Sequence, residues 1–175
     1  MRKLASTEQH RTNRARTMKS EHLKQRMNQV LVLAQSSKCP RKQFGCLIID
    51  PVNNRVISDG WNGAPKGPER LCGGEICLRD QAAIQSGSSP HIGCHHAETN
   101  AICNAASMGT STKGAWAIVN GEPCLMCAKM LHHSLIATVV IIRGAYLGAQ
   151  LTGDAGVQYL LDHSINVIFE RIEHG

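Results

Sequence analysis

Ala115-Trp116-Ala117-Ile118-Val119 and Thr138-Val139-Val140-Ile141-Ile142 are two short, almost unbroken apolar runs. A strand that is apolar on both faces has to be covered on both faces, which is the habit of a parallel sheet between helical layers. Residues from Cys124 to about His133 read as the helix between them. A helix from Ala97 to about Met108 comes before, and a helix from about Asp154 to His163 and a strand Val167 to Glu170 come after. This β-α-β alternation predicts an α/β domain. Further toward the N-terminus, Phe44 to Asp50 and Arg55 to Trp61 form two strand-like runs about Pro51-Val52-Asn53-Asn54, whose residue types suit a turn, so they predict a hairpin. Leu23, Met27, Val30, Leu31 and Ala34 recur at helical spacing, in a helix capped by Ser20 and ended by Ser36 and Pro40. Between Asn62 and His95 lies a Gly- and Pro-rich stretch with one short helix near Ile76 to Gln85. Compact domains rarely carry so long a connection unless something functional holds it.

The chain has 175 residues, enough for one domain that buries a sizeable core. Residues 1–19 have almost no large apolar side chains and read as a mobile basic arm, with the domain at 20–175. No apolar run approaches the roughly 20 residues that cross a bilayer, which excludes a membrane protein and points to the cytoplasm. Eight Cys and nine His in a reducing compartment point to metal ligands or buried thiols before disulfides. Residues 1–42 carry 11 Lys and Arg against two acids, while residues 43–175 carry eight against 11. The net +6 therefore belongs to one end, and suggests a phosphate-bearing partner there.

Two segments carry chemistry. His96-Ala97-Glu98 opens one predicted helix and Pro123-Cys124-Leu125-Met126-Cys127 opens the next. Cys124 and Cys127 are three apart and share a face of the first helical turn, where Pro123 costs no hydrogen bond. With His96 they make three ligands and leave a fourth tetrahedral position open, the makeup of a catalytic zinc. Glu98 follows the histidine by two residues, placed to act as general acid and base without ligating the metal. This His-x-Glu and Pro-Cys-x-x-Cys pair is the signature of zinc-dependent deaminases.

These residues, with Gly60-Trp61-Asn62-Gly63-Ala64-Pro65-Lys66-Gly67 and His96 to Ile102, resemble the cytidine deaminase superfamily and, within it, the deoxycytidylate (dCMP) deaminases. The resemblance runs from about residue 23 to 170. It implies a three-layer α/β/α fold around a five-stranded mixed sheet in the order 2-1-3-4-5. It also implies hydrolytic deamination of dCMP to dUMP and ammonia, feeding thymidylate synthesis, with water attacking C4 of the base while Glu98 protonates N3 and then the departing amine. Asn62, Ala97 and Tyr146 correspond to substrate-binding positions. Many such enzymes are activated by dCTP with Mg2+, inhibited by dTTP and assembled as homo-oligomers, commonly hexamers. The regulatory nucleotide would fall among Lys38, Arg41, Lys42, Asn62, Gly63 and Lys66. Cys39, Phe44 and Cys46 depart from the family pattern of Asp, Val and Ala, and Cys39 bears directly on that regulatory segment.

Cys72, Cys77, His91 and Cys94 supply four soft ligands along the long connection, a candidate second, structural zinc with His95 as an alternative fourth ligand. Some relatives carry such a zinc. Cys103 in mid-helix is expected to be a buried small residue, Met126 and Met130 to pack their helix, and His132 and His133 to complement its C-terminal dipole. The alternatives to dCMP deamination are a tRNA-adenosine or nucleobase deaminase, which the basic arm favours and the Asn62-Gly63 loop disfavours, and a non-catalytic zinc module that binds nucleic acid. An intact Glu98 argues against the last, and nucleic acid is not the expected partner.

Overall fold

A computed structural model of the chain describes residues 18–64, 75–84, 93–144 and 154–172. The elements in chain order are α1 (Ser20–Ala34), β1 (Gly45–Asp50), β2 (Arg55–Trp61), α2 (Leu78–Gln81), α3 (Ala97–Ser107), β3 (Trp116–Val119), α4 (Leu125–His133), β4 (Thr138–Arg143), α5 (Asp154–Asp162) and β5 (Asn166–Arg171). Most of the arm, together with Lys66, Cys72, His91 and Tyr146, lies outside the described residues.

The five strands form one sheet in the order β2-β1-β3-β4-β5, as the resemblance implies. β1 pairs antiparallel with β2 and with β3, with Cys46 opposite Val119. β3 and β4 pair parallel, with Trp116 opposite Thr138, and β4 pairs parallel with β5. The periodicity of two sorts the strand residues onto two cores. Ile48, Ala117, Val119, Val139 and Ile141 face one cluster with Ala97, Ala101, Ala128, Leu131 and Leu160 of α3, α4 and α5. Leu47, Ile49, Trp116, Ile118, Val140 and Ile142 face the other with Met27 and Val30 of α1. The central runs are continuously apolar because both faces are covered. The edge strands β2 and β5 alternate instead, with partly exposed residues along their length. Each fully buried Ile contributes roughly 1.5–3 kcal/mol to folding.

Gly60 brings α3 onto β2. A Cβ there would lie 2.4 Å from the Ala101 nitrogen and 2.5 Å from the Ala97 carbonyl oxygen, so only glycine permits the approach. Ser58 Oγ and Asn104 Nδ2 reinforce it, donating to the Ala101 and Asp59 carbonyls at 2.9 and 2.8 Å. The start of α3 is thereby fixed against the sheet.

Four local expectations are corrected. Ser20 is the first helical residue and Lys19 the N-cap, with no side-chain cap. Helix ends commonly differ by a residue in this way. Cys103 is exposed, because α3 buries Ala97, Ala101 and Ala105 and position 103 falls on the opposite face. Met126 is 51% exposed, since α4 turns Cys127, Ala128 and Leu131 inward. Among residues 75–84, α2 is shorter than the helix expected near Ile76 to Gln85. No helix among the described residues is long and apolar enough to cross a membrane.

Candidate metal centre

The start of α3 and the start of α4 meet at one end of the sheet. His96 and Cys124 are the N-cap residues of the two helices, both in extended backbone. His96 Nδ1 lies 3.4 Å from Cys124 Sγ and 3.5 Å from Cys127 Sγ, and all three ligand atoms lie within 4.8 Å of one another. A tetrahedral zinc with Zn–S near 2.3 Å and Zn–N near 2.1 Å sets an N···S edge of about 3.6 Å. The three residues therefore fit a zinc ion in both donor type and spacing. Among the described residues this is the sole cluster of three or more such ligands.

The electrostatics agree. A hydrogen bond from Cys127, then another from His96, hold the Cys124 thiol down to about 4, well below an ordinary cysteine. Cys127, sharing its proton with Cys124 and buried as well, is pushed up, because two adjacent thiolates repel without a metal between them. The hydrogen bond to Cys124 raises His96 despite burial. Glu98, only 7% exposed, has its carboxyl raised above the ordinary 4.5 chiefly by burial, with the nearby His96 charge opposing the shift. Burial of this kind disfavours the charged carboxylate and so favours its picking up a proton.

Thr99 was not among the residues singled out by sequence. Its Oγ1 lies 3.8 Å from Cys127 Sγ and donates to Met130 Sδ at 3.6 Å, which places a hydroxyl against that thiol. Its one sequence signal is its place directly after Glu98.

Asn62 is 4% exposed and uses its amide internally. Oδ1 accepts the Phe44 N–H at 2.7 Å and Nδ2 donates to the Lys42 carbonyl at 2.9 Å. Asn120 grips the same segment from the other side, accepting the Gly45 N–H at 2.8 Å and donating to the Gln43 carbonyl at 3.2 Å. Gly63 and His95 exchange backbone hydrogen bonds of 3.2 and 2.9 Å, which tie the Asn62-Gly63 loop to the residue before His96. Ala97 is buried.

The basic residues proposed for a nucleotide divide. Lys38 is exposed, whereas Arg41 pairs with Asp80 at 3.1 Å and donates to the Ile84 carbonyl at 3.2 Å, holding α2. A cavity of about 320 Å3 lies beside Gly63, lined also by Trp61, His95, Asn100 and Asn104. Of the candidate second-zinc ligands, Cys77 is 2% exposed and Cys94 partly buried. Cys39 makes a hydrogen-bond contact with Cys94, which holds the Cys39 thiol down to about 5. Asn62 Nδ2 also faces Cys94 Sγ, at 3.9 Å.

The family of the cytidine and deoxycytidylate deaminase zinc-binding region matches residues 20–143. The chain belongs to this family. It is 35% identical over 113 residues to ComE operon protein 2 of Bacillus subtilis, covering 65% of this chain and 54% of that protein. It is 32% identical over 139 residues to the deoxycytidylate deaminase of phage T4, covering 62% and 71%. The human deoxycytidylate deaminase is 32% identical over 113 residues, covering 65% and 60%. The match thus spans between half and three fifths of the Bacillus and human relatives. In fold the chain is similar to dCMP deaminase of cyanophage S-TIM5 in its complex with dCMP and dUMP, at a TM-score of 0.66 and 24% identity, covering 89% of this chain and 99% of that one. The matched stretch contains His96, Glu98, Thr99, Cys124 and Cys127.

Proposed function

We propose that this chain is a zinc-dependent deoxycytidylate deaminase that hydrolyses dCMP to dUMP and ammonia. The observation that carries the reading is the His96, Cys124 and Cys127 triad with the buried, upshifted carboxyl of Glu98 beside it. His96 Nδ1 and the two thiolates would hold zinc, which when bound supplies an activated water as nucleophile. Glu98 receives the proton and returns it to N3 of the base and then to the leaving amine. Its burial keeps bulk water from competing for that proton. Thr99 steadies Cys127, and the Asn62 and Asn120 clamps fix residues 42–45 at the rim, where the substrate sugar would pass. Tyr146 belongs to the substrate side by family resemblance alone. The test is ammonia release from dCMP, dCTP, deoxycytidine, guanine and tRNA. Turnover confined to dCMP supports the reading, and inactivity on dCMP with turnover of another substrate overturns it.

Three finer readings accompany it. Regulation by dCTP with Mg2+ and by dTTP would act at the cavity beside Gly63, where Trp61 offers a stacking face, with Lys66 assigned to it by family resemblance alone. Rates measured with each triphosphate check this. A second, structural zinc would draw on Cys72, His91 and Cys94, and the contact between Cys39 and Cys94 favours Cys39 over Cys77 as the fourth ligand. Two zincs per chain, falling to one in Cys39→Ser but not in Cys77→Ser, would support that set. A homohexamer in the cytoplasm is the assembly and location that family resemblance favours.

A further inference from the structure

Glu122 stands two residues before the ligand Cys124, and its side chain is only 7% exposed, yet it has no part in the chemistry above. It makes an ion pair, Oε1 lying 3.1 Å from Nη2 of Arg143 at the end of β4. Among the described residues its other oxygen, Oε2, has no hydrogen-bond partner, and neither does Arg143 Nε. The Arg143 guanidinium is itself held over the ring of Phe169 on β5, 3.7 Å from the centroid. A cavity of about 420 Å3, lined also by Ala155, Val157 and Gln158, borders the pair, so no second cation there compensates the carboxylate among the described residues.

The loop from β3 to α4 hangs between two supports. Asn120 fastens its beginning to β1 through Gly45 and Gln43. Further on, the Pro123 carbonyl is covered by α5 so closely that a Cβ on Gly156 would lie 2.0 Å from it. Between these, Glu122 is the sole side chain of the loop with an ion pair among the described residues, and it reaches across to β4. A buried carboxylate is tolerated only while its counter-charge is present. An ion pair also fixes direction, which apolar packing does not. We infer that the Glu122–Arg143 pair, braced on Phe169, positions the loop that delivers Cys124 to the metal, so that both are positioning residues for the zinc centre. This inference rests on the zinc reading above.

The two partners are unequal, and the inequality gives the test. Arg143 is 40% exposed in its side chain and can be hydrated if Glu122 is neutralised, whereas Glu122 at 7% cannot be hydrated if Arg143 is lost. The experiment compares wild type, Arg143→Met, Arg143→Lys, Glu122→Gln and the Glu122→Gln/Arg143→Met double variant, each zinc-loaded. Zinc transfer to a chromogenic chelator, the absorption bands of the Co2+-substituted protein and thermal unfolding are measured. Arg143→Met is expected to release zinc about 10-fold faster or more, the scale on which residues supporting metal ligands act, and to shift the cobalt–thiolate bands. Arg143→Lys keeps the charge and is expected to stay within about threefold of wild type, whereas the double variant has no ion pair to direct the loop and is expected to release zinc about 10-fold faster, as Arg143→Met does. If Arg143→Met lowers only the unfolding temperature and leaves release rate and cobalt bands as in wild type, the pair supports the fold alone and the inference is overturned. A double variant that releases zinc as slowly as wild type overturns it too, because the harm in Arg143→Met then comes from an uncompensated carboxylate and the pair itself positions nothing. Wild-type protein that takes up no zinc at all refutes the underlying zinc reading, and this inference with it.

Discussion

The side-chain oxygen of Asn62 accepts the amide hydrogen of Phe44 at 2.7 Å, while its nitrogen donates to the carbonyl of Lys42 at 2.9 Å. One buried amide thus replaces two missing strand partners where β1 begins. Asn62→Ala leaves a backbone donor and an acceptor without partners, at a cost of about 2–4 kcal/mol. The expected drop in Tm is roughly 5–15 °C for a chain of this size, with a rise in KM as residues 42–44 loosen. An unchanged Tm with a raised KM would show that Asn62 serves the substrate and not the clamp.

Glu98→Gln keeps shape and removes the proton carrier. The expected loss in kcat is about 10²–10⁴-fold, with zinc content unchanged. Because burial raises the Glu98 pKa above 4.5, and the carboxylate must be ionised to take a proton, activity should fall as pH drops through that raised value. The acid limb of kcat/KM therefore lies above 4.5. In the metal-free protein the same shift makes the ionised carboxylate oppose folding once pH rises above the unfolded value, so Glu98→Gln should melt higher than wild type at neutral pH. A lower Tm at that pH would contradict the assigned direction.

Thr99→Val is nearly isosteric and removes the hydroxyl 3.8 Å from Cys127 Sγ. Zinc affinity by chelator competition should fall about 10-fold with little change in Tm. Affinity equal to wild type would mean that Thr99 does not steady the thiolate.

Gly60→Ala forces a methyl against the backbone of Ala101, which no rotamer change can relieve. A loss of about 3 kcal/mol is expected, together with reduced zinc occupancy, since α3 carries His96 at its N-cap. Full occupancy and a Tm within about 1 °C of wild type would show that α3 moves away at little cost.

The candidate metal ligands were legible because two residues at a helical spacing and one at the start of a second helix leave few geometries for a tetrahedral ion. The central strands were legible because burial on both faces removes polar residues altogether. Asn62 was legible as important but not in what it does, since an amide that replaces strand hydrogen bonds and one that meets a ligand look alike in sequence. Cys103 could have been read correctly: with Ala101 and Ala105 on the buried stripe, position 103 faces away. The contact between Cys39 and Cys94 joins residues 55 positions apart and is invisible to any local pattern. Glu122 was hidden for a similar reason, its counter-charge lying on another strand.

The sheet turns from antiparallel to parallel at β3. As a result β1 starts, and β2, β3, β4 and β5 finish, along one and the same rim. Every segment that can touch a ligand is therefore a junction between strand and connection, while the opposite rim and both cores stay clear of the chemistry. Lengthening a junction, as between Trp61 and His96, alters what the rim admits without moving a single packed Ile. A scaffold built this way separates the problem of folding from the problem of choosing a substrate, and leaves selection free to work on one without unsettling the other.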